Sequence, residues 1–177
     1  MPPVGDGDRY THRVLRLERL RSDHADAVLA FETANRAFFS ESISDRGDDY
    51  FERFAAHHRA SLDEQETGVC AYFVLVDDDG AVLGRFNLYE IGHGTAEVGY
   101  RVAQSVSGQG VATEALGRLC EVARTRLSLR TLSARTSGEN IASQRVLEKC
   151  GFLAVGEAEV GGRPGRTYHV VLEPSGD

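Results

Sequence analysis

The chain has almost no lysine. Lys149 stands alone, and nearly all of its 20 basic residues are arginine. Set against 27 acidic residues, they leave a formal net charge of -7. This argues against loose association with nucleic acid, which needs a basic surface to displace the phosphate counterions. Cysteine is equally sparse: Cys70, Cys120 and Cys150 lie far apart, with no Cys-x-x-Cys pair and no histidine placed to complete a zinc site. Three buried thiols in a reducing compartment, with no metal, is the expectation. No apolar run approaches the roughly 18 residues of a membrane span. Met1-Pro2-Pro3-Val4-Gly5-Asp6 lacks the charged and apolar regions of a signal peptide. These absences point to a cytoplasmic protein that meets neither membrane nor nucleic acid.

What is present is an ordinary globular composition, 41% apolar and 27% charged over 177 residues, enough for one domain with its own core. A single domain over 1–177 is expected, with residues 1–9 a loose, polar, Gly/Pro-rich end. The first strand is expected over 13–17. A helix follows from an N-cap at Ser22-Asp23, with Ala27, Val28, Phe31, Ala34 and Phe38 on one side. Residues 40–49 read as loop. A second helix carries Tyr50, Phe51, Phe54, Ala55, His58 and Leu62 at helical spacing. Residues 69–76 form a continuous apolar run that suits a strand buried on both faces. Asp77-Asp78-Asp79-Gly80 turns the chain into a strand over 81–89, and Gly92-His93-Gly94 turns it again into a strand over 95–103. Three strands joined by short turns make an antiparallel meander.

After that the pattern changes. Ser105-Val106-Ser107-Gly108-Gln109-Gly110 runs straight into an amphipathic helix from Val111, whose buried side carries Ala115, Leu116, Leu119, Val122 and Ala123. A strand that feeds a helix through glycines leaves the first amides of the helix unpaired, with the positive end of its dipole behind them, and so builds an anion cradle suited to a diphosphate. The strand over 131–135 must run parallel to the one before it, because a helix makes the crossover. Asn140 caps a further helix with Val146, Leu147 and Cys150 inward, and Gly151 ends it. Strands over 152–160 and 167–172 close the chain as a hairpin.

Two of these segments together resemble a known family. Ala96-Glu97-Val98-Gly99-Tyr100 with Gly108-Gln109-Gly110-Val111-Ala112-Thr113-Glu114-Ala115-Leu116 resembles the acetyl-coenzyme A motif of the GNAT superfamily of N-acetyltransferases. Asn140-Ile141-Ala142-Ser143 and Val146-Leu147-Glu148-Lys149-Cys150-Gly151-Phe152 resemble its second motif, and Asn35-Arg36-Ala37-Phe38-Phe39 is similar to the first helix region of the RimJ/RimL group of protein N-acetyltransferases. The resemblance implies an α/β fold: a mixed sheet of six to seven strands, with an N-terminal antiparallel meander and a splayed pair of parallel central strands. It implies acetyl-CoA as co-substrate, held by the backbone from Ser107 and Gly108 through Gln109, Gly110, Val111 and Ala112 to Thr113, by strand groups around Arg101, Val102 and Gln104, and by Asn140 and Ser143. Ser107 departs from the pattern, since the family usually carries Arg or Gln there, and weaker cofactor binding is expected from it.

The resemblance further implies acetyl transfer to a primary amine, on a peptide N-terminus or a small molecule, in a ternary complex of a monomer or homodimer. Glu97 is the candidate base, with Glu157 and Glu159 in reserve. Ser143 is the candidate proton donor to the thiolate, with Tyr100 or Tyr168 as substitutes. Arg145 and Lys149, four apart, could meet the ribose phosphate. A non-catalytic acyl-CoA sensor on the same fold is the alternative. A dinucleotide site is disfavoured because Thr113 stands where a third glycine would be needed.

Overall fold

The structure, a computed structural model, describes residues 14–174. The expected loose end at 1–9 and the start of the first strand at Arg13 lie outside the described residues. Seven strands form one sheet in the order β1-β2-β3-β4-β5-β7-β6, where β1 is Arg16–Arg19, β2 Ala71–Val76, β3 Val82–Gly92, β4 Thr95–Val102, β5 Thr131–Ser137, β6 Leu153–Val160 and β7 Arg163–Val171. Every pairing is antiparallel except β4 with β5. This is the mixed sheet of the GNAT fold, with β2-β3-β4 as the expected meander.

Helices cover both faces. On one side α5, Val111–Thr125, and α6, Ile141–Lys149, bury Ala115, Leu116, Leu119 and Leu147 against Phe73, Phe86, Val98 and Leu132. On the other, α1, Ala25–Ala34, and α4, Phe54–Glu66, cover Tyr72, Val74 and Val76 with Val28, Phe31 and Phe54. Every residue of β2 is therefore buried, which is why it reads as an unbroken apolar run. Cys70 is buried as expected, but Cys120 and Cys150 are only half-buried.

Two helices are shorter than their periodicity suggests. The first breaks at Asn35 (φ -106°, ψ 5°), after which α2, Arg36–Ser40, continues in a new direction. The second breaks at Arg53 into α3, Asp48–Glu52, and α4. Asn35 explains the first break: its amide nitrogen donates to Phe31 O at 2.9 Å, and its Oδ1 accepts from Gln104 N at 2.9 Å. One side chain thus ends a helix and pins the loop after β4.

In the closing hairpin β7, and not β6, lies against β5. Gly165 makes that approach possible, because a Cβ there would stand 2.3 Å from Thr136 O and 3.1 Å from Ser137 Cα, both backbone atoms that cannot swing aside. Gly165→Ala is expected to destabilise the protein by about 1–3 kcal/mol, the usual cost of overpacking. An unchanged urea midpoint would contradict the close packing.

Candidate active site

β4 and β5 are paired only over their first halves. The parallel register runs from Thr95 opposite Thr131 to Val98 opposite Ala134 and then stops. Beyond it β4 stays on β3, with Gly99 opposite Asn87 and Arg101 opposite Arg85, while β5 stays on β7, with Arg135 opposite Thr167 and Ser137 opposite Gly165. The facing edges of residues 99–102 and 135–137 are left without each other. Into this gap opens a cavity of about 240 Å³, lined by Gly99, Tyr100 and Arg101 on one edge and Thr136 and Ser137 on the other, with Asn140 and Ser143 behind.

The loop after β4 supplies the cradle. Ser107 N donates to Gln104 O at 3.1 Å and Gln104 N to Asn35, so those two amides are already used. From Gly108 to Thr113 no amide finds a partner among the described residues, and the first helical bond is Glu114 N to Gly110 O at 3.0 Å. Gly108 (φ +75°) and Gly110 (φ +78°) hold the left-handed turns that aim these donors outward, and a Cβ on either would meet nothing within 4 Å. The space above the amides is open. A groove of about 370 Å³ runs from there past Val102 and Thr113 to Arg145 and Lys149 of α6, whose cationic ends form no ion pair among the described residues. Gln109 lies off this groove, its side chain donating back to Ser105 O at 3.1 Å.

Tyr100 and Ser143 line both the groove and the cavity and touch each other where the two meet. The tyrosine hydroxyl lies 3.0 Å from Ser143 Oγ and 3.2 Å from Ser143 O. Asn140 fixes the serine by capping α6, its Oδ1 accepting from Ser143 N at 3.2 Å. Burial pushes the Tyr100 phenol up to about 12, tempered by its bond to Ser143, so the hydroxyl keeps its proton at any physiological pH.

Glu97 is not brought to this pair. It sits in the zipped half of β4, between Tyr89 and Ser133, with its carboxylate 3.0 Å from Arg135, and it lines a separate hollow with Glu64, Cys70 and Glu90. Glu157 and Glu159 are on β6, at the outer edge of the sheet. Tyr168 is buried with its hydroxyl unpartnered among the described residues. The neighbours His57 and His58 do line one cavity, of about 230 Å³, although each bonds elsewhere: His57 to Asp49, and buried His58 to Arg21 O at 3.0 Å.

Sequence reasoning missed a buried charge cluster on the far side of the 240 Å³ cavity. Glu32 of α1 is 1% exposed and accepts from Arg46 at 2.9 Å, Arg85 at 3.0 Å and Arg101 at 3.3 Å. The signal was there: Glu32 and Asn35 fall on the same helical stripe as Val28 and Phe31, and Arg85 and Asn87 alternate with Phe86 and Leu88 inside a buried strand. Burial alone would raise the Glu32 pKa, but the Arg46 bond and the charges of Arg46, Arg101 and Arg85 outweigh it and hold the carboxyl below its usual value of 4.5. Its contribution to stability is therefore complete above pH 4.5 and is lost as the pH falls through the lower folded value. Glu32→Ala is expected to cost about 3–5 kcal/mol by stranding buried Arg85 and the half-buried Arg46 and Arg101. Glu32→Gln should flatten the loss of stability that wild type shows below pH 4.5. Parallel acid-denaturation curves for the two would contradict this.

Comparison with known proteins agrees with this geometry. The acetyltransferase (GNAT) domain family matches residues 14–153. A probable N-acetyltransferase of Bacillus subtilis, YjcK, is 29% identical over 154 residues, 82% of this chain and 84% of that protein. Among solved structures, the ribosomal-protein-S5-alanine acetyltransferase of Vibrio fischeri superposes with a TM-score of 0.83 at 18% identity, covering 92% of this chain and 96% of that one. RimJ of Mycobacterium smegmatis, in complex with CoA-disulfide, superposes with a TM-score of 0.78 at 25% identity, covering 89% and 82%.

Proposed function

The chain belongs to the GNAT acetyltransferase family and is an N-acetyltransferase, and from that premise we propose that it acetylates a primary amine, either the α-amine of a peptide N-terminus or the amino group of a small molecule, with acetyl-CoA as donor. The observation that carries this reading is the parting of β4 from β5 beyond Val98 and Ala134, directly beside six unpaired amides.

Those amides and the open space over Gly108 and Gly110 fit a diphosphate, with Arg145 and Lys149 available for a further phosphate at the groove's other end. The unpaired edge of β4 at Arg101 and Val102 fits an amide-bearing arm, because exposed strand groups need partners. Of the expected contacts, Gln104 and Ser107 cannot give their amides, which are already bonded. This makes the natural Ser107 less of a handicap, since the donors that matter begin at Gly108.

The bound thioester supplies an electrophilic carbonyl and a thiolate leaving group. This chain's residues must admit a neutral amine, orient it and return a proton to the sulfur. Tyr100 and Ser143 are the proton-donating pair: the serine, whose backbone N–H is capped by Asn140, passes its hydroxyl proton to the sulfur as it takes one from the tyrosine, and the proton that the attacking nitrogen sheds on becoming an amide restores the phenol. Glu97 lies too far back in the zipped stretch to touch an amine in the cavity and would act only through water.

Three expectations follow from these roles. Ser143→Ala and Tyr100→Phe should each lower kcat by roughly 10²-fold, and the double variant should lose little more, because the two act as one relay. Glu97→Gln should lose much less than the roughly 10²- to 10⁴-fold expected of a positioned base. Calorimetric titration with CoA and thiol release over an amine panel test the whole. Failure to bind CoA removes the reading, and full activity in both Ser143→Ala and Tyr100→Phe reassigns the donor.

A further inference from the structure

The cavity between β4 and β5 adjoins a second one beneath α3 and α4, and Arg46, Arg85, Asn87 and Tyr89 form the wall between them. The charges on these walls do not balance. Arg135 is matched by Glu97, but Arg46, Arg85 and Arg101 share the single carboxylate of Glu32, which stands behind the walls, and no acidic residue among the described ones lines either cavity. Two positive charges are left over. His57 leans on Asp49 outside the cavity, and His58 on a backbone carbonyl, so neither changes this count.

Uncompensated buried charge is costly and persists where a ligand supplies the compensation. The remaining hydrogen-bonding groups point the same way. Arg46 Nε and Arg85 Nε are buried with no partner among the described residues, in a residue 7% exposed in the second case. Asn87, also 7% exposed, bonds Tyr89 through its amide nitrogen at 3.0 Å and leaves its Oδ1 unpaired, and Ser137, 5% exposed, has an idle hydroxyl across the gap. These idle donors and acceptors, each closed to solvent, belong to residues that line one small cavity.

Resting on the acetyl-transfer reading, we propose that the acceptor is a primary amine with a carboxylate close by, the carboxylate held by Arg46, Arg85 and Arg101 and the amine directed by Asn87 and Ser137 towards the Tyr100–Ser143 pair. At about 240 Å³, the cavity falls below the roughly 300–1,000 Å³ that drug-sized ligands occupy and suits a single amino-acid unit. Two sources share this chemistry, a free acidic or neutral amino acid and a peptide with an acidic residue at or next to its N-terminus. A polyamine, cationic along its length, meets like charge here and is disfavoured.

The test uses the purified full chain, with acetyl-CoA turnover read by thiol release. The acceptors are glutamate against its diamide, tetrapeptides with acidic, amide or lysine residues at the second position, and spermidine. The carboxylate-bearing acceptors should exceed their amides in kcat/KM by about 10- to 100-fold, the worth of one or two charge-assisted bonds. The free amino acid and the acidic peptide tell the two sources apart. Arg46→Gln, on the most exposed of the three arginines, should raise KM for the acidic acceptors by a similar factor and affect the amides far less, and Arg46→Lys should restore part of the loss. CoA titration checks that the variants are folded and that the transferase reading stands. Calorimetric binding of N-acetylglutamate and of an N-acetylated acidic peptide, to wild type and to Arg46→Gln, reports on the anion site without turnover. Amides or spermidine turned over as well as the acids, an equal loss on every acceptor in Arg46→Gln, or no binding of either acetylated acid would each overturn the proposal. Absence of CoA binding alone would overturn the transferase reading instead.

Discussion

Everything in this molecule that bears on function depends on a parallel strand pair that is allowed to part. Parallel strands are normally zipped and covered on both faces, and an open edge in mid-sheet would be filled by its neighbour unless other partners outbid it. Here both strands are claimed from the far side: β4 by β3 along its full length, and β5 by β7, drawn in to within backbone contact at Gly165. Each strand is held away from the other, and this keeps open the gap between Gly99 and Ser137. The Gln104 amide, fixed by Asn35, then turns the chain directly into the free amides at Gly108. Slot and cradle are two consequences of one tethering pattern.

The second organising feature is the buried carboxylate of Glu32, which ties α1, the loop carrying Arg46, β3 and β4 together at one point. Such networks seldom raise stability compared with an apolar core, because desolvation consumes most of the Coulombic gain. The arginines crowd each other as well: burial and the charges of Arg46 and Arg85 press the Arg101 pKa down, against the pull of Glu32. A cluster that repels itself makes a poor fastener and a good receptor for an anion.

Much of this was legible in the sequence because it is written locally. The two-residue alternation of the strands, the apolar stripe of α5, the Asn140 cap and the glycines of the cradle each depend on residues within a few positions of one another. The parallel crossover followed from the helix between its strands. What could not be read is what four distant segments build jointly. Glu32, Arg46, Arg85 and Arg101 come from a helix, a loop and two strands, and no spacing announces their meeting. The break at Asn35 is set by a bond to Gln104 N, 69 positions away, so helical periodicity ran straight through it. Glu97 shows the limit of a motif: its position names a candidate base, and the pairing register sets it on the closed side of the fork, against Arg135.

On the proposed assignment, the same excess of positive charge bears on how the reaction would proceed with no base at the amine. At pH 7 the neutral form costs about 1 kcal/mol for an α-amine and about 4.6 kcal/mol for a lysine side chain, from reference values near 7.8 and 10.4. A like charge nearby disfavours the ammonium further, so two unbalanced arginines lower the amine's pKa towards neutrality and shrink the first cost to little or nothing. For a lysine amine the same field removes only part of a much larger penalty. An acceptor that brings its own carboxylate gains binding at the arginines but cancels one of the two unbalanced charges, so one is left to favour the neutral amine. In such a site the proton that needs protein help is the one returned to the sulfur, where the phenol and the serine hydroxyl stand together.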